Sequence, residues 1–262
     1  MICVSKNNKD EIINAFASGA KLKTTSELPE FDVPEPVLFR SIVKREFIQY
    51  RLEHNLPFYY VDSGYFGNFK STQNPEGKKL WHRIVKNGLQ HSDIIPRDTN
   101  RWKRFGINIH KTRGVGKHIL LVLPSEKPCK FYDLNLKDWT EQTIVEIQKH
   151  TDRPIRIREK ERLRADRLKN TIYQDLDGAH AMVTFQSIAA VESTIFGVPA
   201  FTLAPTAADP VCNKDLKDLE NPRVVKKEKL IEWASHLAYG QFHMHELFDG
   251  RAYRMLLKDE SN

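Results

Sequence analysis

Three groups of residues in this chain have the types and spacing to do chemistry. The first lies in Ala181-Met-Val-Thr-Phe-Gln186-Ser187-Ile-Ala-Ala-Val-Glu192-Ser-Thr-Ile-Phe-Gly197-Val-Pro199. An apolar strand leads into Gln186 and Ser187, an amphipathic segment stops at Gly197, and Val198 to Leu203 restart as a second apolar run. That is a strand–helix–strand unit with a polar residue at the helix start and glycine at its end. Helix N-termini offer N–H groups to anions, and ligands of open α/β sheets sit beyond the carboxyl ends of the strands. Ser187 is expected at such a mouth, with Glu192 about a turn and a half along the helix. The second group is Phe58-Tyr-Tyr-Val-Asp62-Ser-Gly64-Tyr65. A carboxylate at the end of a buried strand, on a glycine-bearing turn, points into the ligand crevice as a general base would. The third is Arg153-Pro-Ile-Arg156-Ile-Arg158-Glu-Lys160, whose period of two puts Arg156, Arg158 and Lys160 on one face. Such charges neutralise a leaving diphosphate or monophosphate without a metal. Each group also has a plainer reading: Ser187 as a helix cap alone, Asp62 shaping its turn, and the basic strand as a solvent-facing edge.

The elements that must position these residues alternate along the chain. Met1 to Val4 reads as a strand, Asn8 to Ser18 as a helix, and Pro29 to Pro36 as a connection. Val37 to Arg40 is a strand, Val43 to His54 a helix, and Leu56 to Val61 a strong strand. Lys78 to Gln90 is read as helical and Ser92 to Gly116 as irregular. The pattern restarts with the buried strand His118 to Pro124, a helix over Trp139 to His150, and the strand Pro154 to Arg158. A polar helix over Arg162 to Asn170 precedes the Ser187 unit. Lys226 to Tyr239 and Phe242 to Leu257 read as terminal helices, with Trp233, Leu237, Phe242, Leu247 and Phe248 as core or packing residues. Alternation of this kind favours parallel sheets covered by helices on both faces.

Composition narrows the class. The chain has 262 residues, 40% hydrophobic and 29% charged, with no apolar run long enough to span a bilayer and no signal-peptide core at its start. A cytoplasmic protein is expected. Cys3, Cys129 and Cys212 are scattered without a CxxC spacing, so neither a disulfide framework nor a zinc site is indicated. The net charge of +7 is unevenly spread: Thr99 to Ser125 contains no acid but carries Arg101, Lys103, Arg104, Lys111, Arg113 and Lys117. A stretch like this suits a polyanionic partner, nucleic acid or diphosphate, and equally a solvated linker face.

The Ser-x4-Glu-x4-Gly-x-Pro pattern after an apolar strand resembles the donor-binding unit of GT-B glycosyltransferases, especially the capsule-polysaccharide type and small bacteriophage transferases similar to it. The resemblance covers residues 118 to 203 and touches the first half at Asp62. It implies an α/β fold of two Rossmann-like lobes facing a central cleft, with C-terminal helices: an acceptor-side lobe over 1–114 and a nucleotide-sugar lobe over 115–262. It also implies donor binding by Arg158, Lys160, Gln186, Ser187 and Glu192. In the family, the small polar residue and helix N-terminus meet the phosphates and the Glu meets the ribose. Phe58 to Tyr65 is similar to the family's Glu-Asp-Gly-Phe strand end, whose Asp is a base; here Val61 stands at the Glu and Ser63 is inserted before Gly64. The basic strand is similar to one ending in Arg-x-His-Pro or Arg-x-Lys-Pro, but no proline follows Lys160.

The resulting expectation is a metal-independent, inverting transfer of sugar from a nucleotide-sugar to an acceptor hydroxyl. Asp62 is its base, and it uses no cofactor beyond the co-substrate. The favoured acceptor is hydroxymethylated pyrimidine in phage DNA, in the host cytoplasm, held by Tyr65, Arg101, Lys103, Arg104, Lys111 and Arg113. An enzyme acting there must flip the base, onto which Tyr65, Trp102 or Phe105 would stack. The alternatives are a transferase for surface polysaccharide or glycolipid, and a non-catalytic nucleic-acid-binding protein on the same scaffold.

Other motifs fit less well. Asp175-Leu-Asp177 matches the Asp-x-Asp metal pattern but precedes a strand instead of ending one, so it is read as loop-shaping. Gly114-Val-Gly-Lys117 lacks the Ser or Thr and the following helix of a P-loop, and reads as a hinge. His243 and His245, two apart in a helical reading, face different ways. Thr206 and Asp209 lie in a loop expected near the sugar or acceptor.

Overall fold

The computed structural model describes residues 1–5, 10–42, 44–68, 76, 78–112, 116–159 and 172–260. They form two compact units, Met1–His91 with Leu237–Asn262, and Ser92–His236. The chain opens with β1 (Ile2–Val4), α1 (Glu11–Ala20), β2 (Thr24–Thr25), β3 (Val37–Arg40), α2 (Arg45–Glu53), β4 (Phe58–Ser63) and β5 (Trp81–Lys86). Asp10 starts α1 by accepting the Ile13 N–H at 3.4 Å, and Lys21 ends it in the left-handed region. β2, β1, β3 and β4 run parallel, and β5 pairs antiparallel with β4. Alternate residues of these strands face two apolar layers. Leu38, Tyr59, Val61 and Ile84 pack with Ile13 and Phe16 of α1. Phe39 meets Phe47 of α2 edge-on and stacks on Phe58, each at 5.7 Å. The proline-rich connection before β3 is held by a buried cation: Arg51 of α2 donates to the carbonyls of Phe31, Val33, Glu35 and Pro57 at 2.7–3.2 Å. The carbonyls of Phe31, Val33 and Glu35 in this irregular connection thereby gain a donor, and that of Pro57 a second one beside the Val37 N–H.

The segment 78–90 is not helical; β5 occupies its centre. Ile84 and Val85 are buried, and the strand is paired along both edges, so sheet pairing overrides the local helical spacing.

The second unit contains α3 (Asn100–Lys103), β6 (His118–Val122), α4 (Glu126–Phe131), α5 (Leu136–Gln148), β7 (Ile155–Arg158), α6 (Ile172–Leu176), β8 (Ala179–Thr184), α7 (Ala189–Phe196), β9 (Ala200–Thr202) and a 3-10 turn at Leu216–Asp218. α3 is one turn inside the stretch read as irregular, and the polar helix expected over 162–170 lies outside the described residues. Four parallel strands in the order β7-β6-β8-β9 form the sheet. β6 and β8 are buried along their whole lengths, His118, His180 and Thr184 included, as strands of a helix-covered parallel sheet should be. Gly197 ends α7 in the left-handed region at φ 84°, and a Cβ there would collide with the Lys111 carbonyl oxygen.

α8 (Lys227–Tyr239) leads back to the first unit, where β10 (Gln241–His243), α9 (Met244–Phe248) and α10 (Arg251–Glu260) complete it. β10 pairs antiparallel with β5, giving the six-stranded order β10-β5-β4-β3-β1-β2. The run read as one helix from Phe242 therefore starts as a strand. His243 then caps α9, its side chain accepting from the His245 N–H while Glu246 accepts the His243 N–H at 2.9 Å. A division at 114/115 assigns these terminal elements to the second lobe. By packing, residues 237–262 belong with the first, because β10 extends its sheet and Leu247, Ala252 and Leu256 enter its core. Trp233, Leu237, Phe242 and Leu247 are buried as expected, but Phe248 is 66% exposed. Among the described residues no helix is long and apolar enough to cross a membrane.

Candidate active site

In the second unit β6 is central. The chain leaves it for β7 on one side and then crosses to β8 on the other, so the connections diverge at the carboxyl ends of β6 and β8. Ligand crevices of open α/β sheets form at such switch points. Thr184 Oγ1 ties the two strand ends by donating to the Val122 carbonyl at 2.9 Å. Gln186 and Ser187 follow β8 at this edge, both half-buried. Gln186 Nε2 donates to the Tyr132 hydroxyl at 3.0 Å, and Tyr132 stands edge-on to Phe185 at 5.3 Å. Ser187 Oγ accepts the Ala189 N–H at 3.2 Å, but the N-cap position of α7 is Ile188, so Ser187 stands one residue ahead of the cap.

Glu192 sits in the first turn and a half of α7, only 8% exposed, on the positive end of the helix dipole. Tyr173 of α6 is its neighbour: burial first, and then the Glu192 charge, push the Tyr173 hydroxyl up to about 12. The Tyr173 ring lies 5.3 Å from Phe196, which closes this side of α7.

Arg158 ends β7 and forms an ion pair with Asp175 of α6. Asp175 therefore lies in a helix and balances this cation. Arg156 is exposed, as is Ile157 between them. Lys160 lies outside the described residues. Beyond β9, Asp209 accepts the Thr206 N–H at 3.0 Å and Lys214 Nζ at 2.5 Å. Lys214 also donates to Thr202 Oγ1 at 2.8 Å, and Trp233 Nε1 donates to the Ala207 carbonyl at 2.6 Å. The loop is thus pinned at both ends. Nothing in the spacing singled out Lys214 or Tyr132.

In the first unit Asp62 is the penultimate residue of β4, with its side chain 41% exposed. Its Oδ2 accepts from the Tyr60 hydroxyl at 2.9 Å and from Arg83 Nη2 at 3.1 Å, and its Oδ1 accepts the Ser63 N–H at 2.7 Å. Burial works to raise its pKa, but Arg83, the Ser63 N–H and Tyr60 outweigh it and hold the carboxyl below the usual range. Arg83 is buried, with its charged form favoured: burial opposes that form, and Asp62 with the two tyrosines overcomes the opposition. At the neighbouring strand end Arg40 pairs with Asp10 at 3.6 Å. His82, beside Asp62 on β5, is pushed down to about 4 by burial and then by the Arg40 charge.

The residues assigned to an acceptor are divided by burial. Tyr65 is 1% exposed, its hydroxyl 3.1 Å from His91 Nδ1, and Arg101, Trp102 and Phe105 are also buried. Lys103, Arg104 and Lys111 are exposed. Arg113 lies outside the described residues, as do Gly114 and Val115 of the hinge reading. The His110 N–H donates to the Ile195 carbonyl at 2.9 Å, which fastens the 110–111 segment to α7. Among the described residues no group of three His, Cys, Asp or Glu is placed to hold a metal ion.

Neither a protein-family model nor a curated protein sequence matches this chain. Solved structures do. One is the β-Kdo 2,4 transferase of Thermosulfurimonas dismutans KpsC, at TM-score 0.52 and 12% identity, covering 88% of each chain. Another is the β-Kdo 2,7 transferase of the same organism's KpsC, at TM-score 0.50 and 10% identity, covering 94% of this chain and 96% of that one. At these identities the likeness establishes the α/β fold with its two Rossmann-like units.

Proposed function

We propose that this chain is a glycosyltransferase that moves a sugar from a nucleotide-sugar donor to an acceptor hydroxyl. The observation that carries the reading is that the likeness to two Kdo transferases extends over nearly the whole chain, both units included. In the second unit the donor binds at the β6/β8 switch point. Gln186, Ser187 and the start of α7 face its phosphates, Glu192 its ribose, and Arg158 with Lys160 supplies positive charge in place of a metal. In the first unit Asp62 accepts the proton of the attacking hydroxyl. A single carboxylate acting this way implies inversion at the anomeric carbon.

The acceptor we favour is a surface glycan, since both similar structures are described as Kdo transferases. The DNA reading draws support from the exposed cations Lys103, Arg104 and Lys111 in the acid-free stretch. Charge reversal at these three separates the two. A DNA enzyme should lose salt-dependent DNA affinity and keep its donor affinity. A wild-type protein with no salt-dependent DNA affinity leaves the glycan reading.

The test is product analysis. The protein is incubated with a panel of nucleotide-sugars that includes an activated Kdo, with glycan and hydroxymethylated-DNA acceptors, and the products are read by mass spectrometry and NMR. Asp62→Asn keeps the size and hydrogen-bonding capacity of the side chain but cannot take the proton, so it should bind donor and lose about 10²–10⁴-fold in rate. An anomeric configuration retained in the product would assign Asp62 the part of nucleophile instead of base. No transfer from any donor in the panel would overturn the reading.

A further inference from the structure

We propose that Arg83 is a positioning residue, holding the Asp62 carboxylate in one orientation at the end of β4. The inference rests on the reading of Asp62 as the working carboxylate. Arg83 is 4% exposed, and a guanidinium removed from water must have its donors occupied. Its Nη1 donates to the Ser63 carbonyl at 2.6 Å and its Nε to the Leu89 carbonyl at 3.3 Å. Its charge also lies 5.8 Å from the Tyr60 ring centre and 5.4 Å from that of Tyr65. Backbone and rings thus anchor the guanidinium independently of any carboxylate. Only Nη2 is turned to Asp62 Oδ2, where the Tyr60 hydroxyl joins it from the same strand.

A simple surface ion pair would leave both partners free to rotate. Here the cation is fixed and the anion is the partly exposed member, at 5% and 41% side-chain exposure. Two donors on Oδ2 and the Ser63 N–H on Oδ1 leave the carboxylate one low-energy orientation, with one acceptor site on Oδ1 beyond these three bonds. A group held like this reacts without first being ordered, and misplacement by about 1 Å costs roughly 10²-fold in rate. The strand register makes the arrangement possible, since Asp62 and Arg83 are directly opposed across β4 and β5.

Two readouts on the full-length chain test this, one needing no substrate. Carboxyl-labelled NMR follows the Asp62 signal, assigned by its loss in Asp62→Asn, through a pH titration. The charged and titratable groups around it are Arg83 and His82 on β5, Arg40 on β3, Tyr60 on β4, and Tyr65. In Arg83→Met the Asp62 carboxyl should titrate at higher pH than in wild type, and Arg83→Lys should restore part of the difference. Turnover, read as nucleotide release from whichever nucleotide-sugar of the panel reacts, should fall about 10²-fold in kcat with donor KM unchanged. The acid limb of its pH profile should move with the NMR titration.

Tyr60→Phe removes one donor and keeps the ring, so it carries the test should Arg83→Met fail to fold; both readouts should move the same way by a smaller amount. An Asp62 titration unchanged in the folded Arg83 and Tyr60 variants overturns the positioning role. An inactive Asp62→Asn beside a fully active Arg83→Met does so as well, and leaves the reading of Asp62 standing. Near-normal turnover by Asp62→Asn removes the reading of Asp62 itself, and the role of Arg83 with it.

Discussion

Gln241 of β10 reaches back 176 positions to Tyr65, whose backbone N–H donates to Gln241 Oε1 at 2.6 Å. The same oxygen accepts the Phe66 N–H at 3.0 Å, and Gln241 Nε2 returns a bond to the Phe66 carbonyl at 3.2 Å. The turn that follows Asp62 is therefore held by the end of the chain. Gln241→Leu would keep the volume and orphan two buried N–H groups, each costing about 1–3 kcal/mol. Urea unfolding of the full chain should show that loss, with the signal from the first unit falling first.

His82 should make stability depend on pH. Its folded value, about 4, lies below the ordinary 6.5, so between these limits the unfolded chain binds the proton and the folded chain does not. Stability from this group is complete above about pH 6.5 and is lost as pH falls toward 4, by up to about 3 kcal/mol. His82→Gln has nothing to charge there. The difference in unfolding free energy between wild type and variant should flatten above pH 6.5 and shrink below it.

Nucleotide binding should reside in the second unit. Glu192→Ala should lose about 1–3 kcal/mol of affinity for UDP or CMP, read by calorimetry, as removal of a charged hydrogen-bonding partner would. Ser187→Ala should lose less, because the helix N–H groups remain at the mouth. Unchanged nucleotide affinity in a folded Glu192→Ala protein would remove the ribose assignment.

Turnover should persist in excess EDTA if fixed protein charge stabilises the leaving nucleotide. Arg158→Met should then lower kcat in chelator, while also releasing Asp175 from its ion pair. Activity that disappears with chelation and returns with manganese or magnesium would place a cation in the mechanism and return Asp175 and Asp177 to consideration as its ligands.

Much of the second unit was legible in the sequence. β6 and β8 are dominated by buried apolar residues, Ser187 stands just ahead of α7, and Gly197 ends it, features set by rules that act within a few residues. In the first unit the same local logic located β3, β4 and Asp62 at a strand end. These features depend on the period of burial and on backbone groups close in the chain.

Tertiary structure decided the rest. Trp81 to Lys86 lies in a run read as helical, and it becomes a strand because β4 lies on one side and β10, from the far end of the chain, on the other. That pairing turns Arg83 toward Asp62, buries Tyr65, and draws residues 237–262 into the first unit. Likewise Arg158 reads as a free cation until α6 brings Asp175 beside it. Local propensity has little say in an edge pairing or a long-range ion pair. Their free energy comes from groups distant in the chain that meet only once the sheet has formed.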